Sequence, residues 1–191
     1  MNIFFNLELL ISDFFTAFGL YSFLFLILSI FIKKATFYNF DEQAKKFLSF
    51  VGVLYIIFWF LGTIVYYIEC NPEEKNEMIE RMFGKYWFGI WIQPLLWFVL
   101  SQIFRIKLFS KNILIRIIAS FFLIISIERL AIIISSFHRD YLPSSWTMYR
   151  QLDIYPSNFI LSILMKILIF MLFVGLYTYI VNKVNQLKKN K

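Results

Sequence analysis

Two groups of residues in this chain could do chemistry in or beside a membrane. Glu128 and Arg129 stand side by side in an otherwise apolar stretch, and Ser135 follows within the same run. His138-Arg139-Asp140 then opens a polar cap that ends at Trp146, and His138 is the only histidine. Charges at bilayer depth are costly and face protein or water rather than lipid. A Glu–Arg pair there points to a proton route or quinone-site wall leading to the cap. The adjacent arginine favours the other reading, a static interhelical pair that fixes packing. Ser120, Ile124, Glu128, Ala131, Ser135 and Arg139 share roughly one helix face. Small and polar residues dominate that face, as suits contact with protein or a wet path. His138 is about 14 Å from Arg129 along a helix and titrates near neutral pH, which fits proton exchange at a surface. The same cations would also complement a helix C-terminus, with Pro143 stopping the helix and Trp146 anchoring the turn.

Three further polar residues fall in or near apolar runs. Asp13, with Glu8 before it, suits either a quinol headgroup or a solvated span end. Lys166 lies well inside the last apolar run and needs a partner, such as Glu128 or a charge on another subunit. Gln93 precedes Pro94, which should kink its helix, and the amide can satisfy a freed carbonyl. One histidine and scattered carboxylates are too few for a zinc site, and no metal is expected. No phosphate-binding glycine loop, nucleophile elbow or zinc-protease signature occurs. With one cysteine, Cys70, and one histidine, the chain alone builds no disulfide, no cysteine-held iron–sulfur cluster and no bis-histidine haem.

The elements that would position these residues are membrane helices. The chain is 60% hydrophobic and 21% aromatic over 191 residues, against about 45–50% apolar for soluble domains. About 20 apolar residues cross a bilayer as a helix. Five runs qualify, at roughly 14–32, 47–68, 86–104, 113–137 and 159–181, and spanning segments without closed sheets must be helical. The expected fold is therefore an all-α integral membrane bundle of about five transmembrane helices in one domain, 1–191. The first run has no basic start or small-residue cleavage site and reads as a retained span. Between spans, Asn71-Pro72-Glu73-Glu74 has the pattern of a helix start, which predicts a short surface helix.

Charge placement suggests orientation. Segments 33–46 and 105–112 and the C-terminal tail together hold eleven Lys and Arg residues; the opposite side holds five. Basic loops stay inside, so the N-terminus is expected outside and the C-terminus inside, with the 138–146 cap on the outer face. The net charge of +7 comes from these topology signals, and no nucleic-acid partner is expected.

The 128–146 run, Glu-Arg-Leu-Ala-Ile-Ile-Ile-Ser-Ser-Phe-His-Arg-Asp-Tyr-Leu-Pro-Ser-Ser-Trp, resembles a motif of the polysulfide-reductase/NrfD family, most of all its alternative complex III membrane subunits. Phe14-Phe15-Thr16-Ala17-Phe18-Gly19-Leu20-Tyr21 is similar to the family's Phe-Ser-Thr-x-Phe-Gly-x-Tyr span. Asp41-Glu42-Gln43-Ala44-Lys45 is similar to its Asp-Asn-Met-Ala-Lys, and Asn71-Pro72, Gly84-Lys85-Tyr86-Trp87 and Gln102 follow in the family's order. The resemblance covers about 14–180 and only the C-terminal half of a family member. Tyr38-Asn39 stands where the family has Arg-His.

The resemblance implies a membrane subunit of a quinol-oxidising respiratory complex. Glu128, Arg129, Ser135 and Asp13 would lie on a proton path or quinone site, and His138, Arg139, Asp140 and Trp146 would meet a peripheral iron–sulfur partner on the outer face. It implies no cofactor bound by this chain alone, with quinone or quinol in the assembled complex. Implied partners are other membrane subunits, one supplying the missing first half, and lipid. The implied location is a bacterial inner membrane, or the mitochondrial one if the gene is organellar. The alternative is a redox-silent structural or assembly subunit of a respiratory complex.

Overall fold

In the computed structural model, the described residues are 3–85, 87–110, 112–127, 130, 155–156 and 158–189. They form α1 (Ile3–Phe31), α2 (Ala35–Glu69), α3 (Pro72–Phe83), α4 (Phe88–Ile103), α5 (Lys107–Ser110), α6 (Ile113–Ile124) and α7 (Phe159–Lys189). No strand occurs among the described residues. Three helices, over Leu9–Phe31, Ala35–Glu69 and Phe159–Lys188, are long and apolar enough to cross a membrane. The helices α4 and α6 are apolar but shorter.

The central helix is α1, which packs against α2, α6 and α7, while α4 closes the bundle against α2 and α6. Its buried side is a run of rings. Phe14, Phe15, Phe18 and Tyr21 are buried at helical spacing and meet Phe47, Tyr55, Phe104 and Phe170. Most of these ring pairs are edge-on or tilted, the geometry that ring quadrupoles prefer. Leu164, Leu168, Leu172 and Leu176 of α7 point outward, an apolar outer face that suits a bundle surrounded by lipid.

Small residues set the closest helix approaches. A Cβ on Gly52 would lie 1.8 Å from the Ser101 Oγ and 2.6 Å from its Cβ, so α2 and α4 touch there almost backbone to side chain. A Cβ on Gly19 would meet the Ser120 carbonyl at 2.8 Å and Ile124 at 2.6 Å, which fixes α1 against α6. Packing of this kind, rather than water exclusion, holds helices together in an apolar solvent.

Two helix boundaries differ from the sequence reading. Segment 33–46 reads as a basic loop, yet α2 starts at Ala35, and Lys45 is a buried residue of that helix. Its charge is neutralised by partners on its own turn, so it is no loop signal. The run 113–137 reads as one span, yet α6 stops at Ile124 and Ile125 is extended (φ −105°, ψ 115°). At 12 residues, α6 covers only about 18 Å. Helical pairing resumes with the Leu130 N–H on the Ser126 carbonyl. The single face proposed from Ser120 to Arg139 is therefore interrupted between Ile124 and Glu128. The expected surface helix is present as α3: Pro72 is its first residue, the Asn71 N–H donates to Glu74 Oε2 at 3.0 Å, and none of its residues is buried.

Candidate functional site

The densest polar chemistry among the described residues lies where α1, α2 and α6 meet. Asp41 of α2 and Arg116 of α6 are 3% and 4% exposed. Their side chains form a two-point pair, Nη1 to Oδ2 at 2.8 Å and Nη2 to Oδ1 at 2.5 Å. Such fork-to-fork contacts are the strongest and most directional of side-chain pairs. Lys45, one turn along α2, reaches Asp41 Oδ2 at 2.9 Å, Glu42 Oε1 at 3.2 Å and the Ser110 carbonyl at 3.4 Å. The Tyr21 hydroxyl donates to Asp41 Oδ1 at 3.4 Å, and Arg116 Nε donates to Ser22 Oγ at 3.3 Å. The guanidinium also lies over the Phe25 ring, 4.3 Å from its centre, a favourable seat for a delocalised cation.

Each partner is placed by helix geometry. Tyr21 and Ser22 adjoin on α1, Asp41 and Lys45 are one turn apart on α2, and Arg116 sits in the first turn of α6. Asn112 caps that turn by accepting from the N–H groups of Leu114 and Ile115. The cluster is closed. Both Asp41 oxygens are taken, and the three Lys45 N–H groups match its three acceptors. A buried pair satisfied in this way holds elements in register.

A second pair ties α1 to α7. Lys166 Nζ lies 2.5 Å from Asp13 Oδ1, with both side chains nearly covered, and 4.9 Å from the Tyr155 ring centre. Asp13 is thus a partner for Lys166, and it is not a solvated span end. Burial first, then the adjacent Asp13 carboxylate, push the Tyr155 hydroxyl above its ordinary range. Phe14, Phe18, Phe47 and Phe170 fill the core between this pair and the Asp41 cluster.

The third polar feature is the break after α6. A helix that stops in an apolar setting leaves N–H and C=O groups unpaired. Two α4 side chains, one turn apart, repair it: Gln93 Oε1 accepts from the Ile127 N–H at 2.7 Å, and Trp97 Nε1 donates to the Phe122 carbonyl at 3.0 Å. Gln93 therefore serves a neighbouring helix rather than a carbonyl freed by Pro94. Trp97 donates into the bundle, to the end of α6. On α2, Ser49 donates to Gln102 Oε1 at 2.8 Å, and Gln102 Nε2 returns a bond to the Ser49 carbonyl at 2.9 Å.

Of the residues singled out from sequence, Asp13 is placed as described. Glu128, Arg129, Ser135, His138, Arg139, Asp140 and Trp146 lie outside the described residues. Sequence reasoning did not single out Arg116, which sits in an apolar run four residues after Asn112. Asp41 and Lys45 entered the sequence reading only as a motif piece within a segment read as a basic loop, whereas both lie in α2. Among the described residues, no group of three His, Cys, Asp or Glu could hold a metal ion. In the Asp41 cluster both carboxylate oxygens and the Lys45 ammonium are paired within the chain. No protein-family model, curated protein or solved structure matches the chain.

Proposed function

We propose that this chain is a membrane subunit of a quinol-oxidising respiratory electron-transfer complex, multi-pass in a bacterial inner membrane, with its N-terminus outside. One observation carries the reading. Tyr21, Asp41 and Lys45, three residues of two separate motif pieces that resemble the polysulfide-reductase/NrfD family, join in one buried cluster. Pieces related only by order along the chain thus become one structural unit. On this reading the described bundle is the rigid wall of the subunit, held by Asp41–Arg116 and Asp13–Lys166. The polar stretch from Glu128 to Trp146 faces the outer electron-transfer partner. A quinone would be shared with a second membrane chain, since the buried clusters here are occupied by their own partners.

The closure of those clusters favours a second reading, a redox-silent structural subunit of a respiratory complex. Purification in mild detergent, followed by identification of the retained chains, tests the first. It expects an iron–sulfur partner, a second membrane chain and quinol oxidation that falls at least about tenfold in Glu128→Gln. Retained partners with undiminished turnover in Glu128→Gln would favour the silent subunit. Absence of any redox partner would overturn the respiratory assignment.

A further inference from the structure

A groove of about 370 Å³ opens where the last turns of α2, the short helix α3 and the start of α4 meet. That volume is at the lower end of small-molecule sites. Trp59 and Tyr66 of α2 line one wall, and Glu74, Glu77 and Arg81 of α3 line the other. The spacing explains the wall chemistry: positions 74, 77 and 81 fall on one side of a 3.6-residue helix, as do 59 and 66 on α2. Carboxylates beside ring faces attract an ammonium group, and a guanidinium one turn away attracts a phosphate. The Glu77–Arg81 contact is long, 3.7 Å, and both side chains are mostly exposed, so a ligand's two charges can take the place of that weak contact.

Met78 and Met82 of α3 and Ile90 of α4 complete the groove's lining, so α3 carries apolar residues beside its charged ones, and the groove lies toward the end of α2, which is long and apolar enough to cross a membrane. An amphipathic helix of this kind lies in a headgroup layer. A soluble zwitterion would not need that apolar lining or a place at the end of a membrane-length helix, whereas a lipid would use both.

We propose that this groove binds the headgroup of a zwitterionic phospholipid, phosphatidylethanolamine, with its ammonium at Glu74 and Glu77 against the rings of Trp59 and Tyr66 and its phosphate at Arg81. The proposal rests on the membrane reading of the bundle. The test is native mass spectrometry of the full chain, purified in neutral detergent and titrated with phosphatidylethanolamine or phosphatidylglycerol. Retention of the former should exceed that of the latter about fivefold or more. The Glu77→Gln/Arg81→Gln variant, with helicity checked by circular dichroism, should lose the preference. If that variant loses helicity, Trp59→Leu should weaken phosphatidylethanolamine retention in its place. Equal retention of the two lipids, a preference unchanged in the folded variants, or equally tight binding of water-soluble phosphoethanolamine would overturn the proposal. A chain that remains in solution without detergent would instead overturn the membrane reading.

Discussion

Asp41 and Arg116 lie 75 residues apart in sequence and meet through two hydrogen bonds at a junction of three helices. Neither charge reaches solvent; Arg116 has Asp41 as its counter-charge, while Asp41 is shared between Arg116 and Lys45. Removing one partner of a buried pair costs about 3–5 kcal/mol, because the remaining charge stays buried. Asp41→Asn, which strands Arg116, should lower stability by that order, read from unfolding in mixed micelles. Asp41→Asn/Arg116→Met should lose less than the sum of the two single changes. Additive losses would show that the two side chains do not act as a pair.

The contact between Gly52 and Ser101 leaves no room for a methyl group. Gly52→Ala should cost about 1–3 kcal/mol by overpacking, since the clash involves a Cβ as well as a hydroxyl. Ser101→Gly in the same chain should restore much of the loss. Thermal unfolding of the single and double variants checks both.

At the break after α6, Gln93→Leu removes the acceptor for the Ile127 N–H, and Trp97→Phe removes the donor to the Phe122 carbonyl. A buried group left unpaired costs about 1–3 kcal/mol. Hydrogen exchange at Ile127 should accelerate in Gln93→Leu and remain near the unaltered rate in Trp97→Phe, where that N–H keeps its acceptor.

Tyr155 gives a pH dependence with a definite sign. Its folded pKa is raised by burial and by Asp13, while the unfolded phenol ionises near the usual value of about 10. Below that pH both states keep the proton and Tyr155 contributes no slope. Above it the unfolded state releases its proton first, so stability falls as pH rises toward the folded pKa. Unfolding midpoints measured from pH 8 to 11.5 should decline above about 10, and Tyr155→Phe should reduce that decline.

Legibility in the sequence followed the length of the signal. Helical class and the long apolar helices can be read from uninterrupted apolar runs, and α3 from Asn71-Pro72 followed by carboxylates. The Asp41 cluster was hidden because its parts come from three helices, and Arg116 looks like a single basic residue in an apolar run. The break at Ile125 was hidden because hydropathy does not change across it. Its signal was a pattern rather than a composition: Ser126 followed two residues later by Glu128, the residue types of a helix start. The pairing of Lys166 with Asp13 could not be read from either position, since it depends on how α7 lies against α1.

The interruption after Ile124 also affects how the chain tolerates insertions and deletions. One residue added within a continuous helix turns everything beyond it by about 100° and moves the whole downstream face. At Ile125 the backbone is already extended, so a length change there is absorbed before the next turn begins. Residues before and after this point can therefore drift in register independently: α6 remains bound to α1 through Gly19, Ser22 and Arg116, while Gln93 fixes where the following segment begins. Closely related chains that differ in length in this region should carry the difference at 125–126 rather than inside α6.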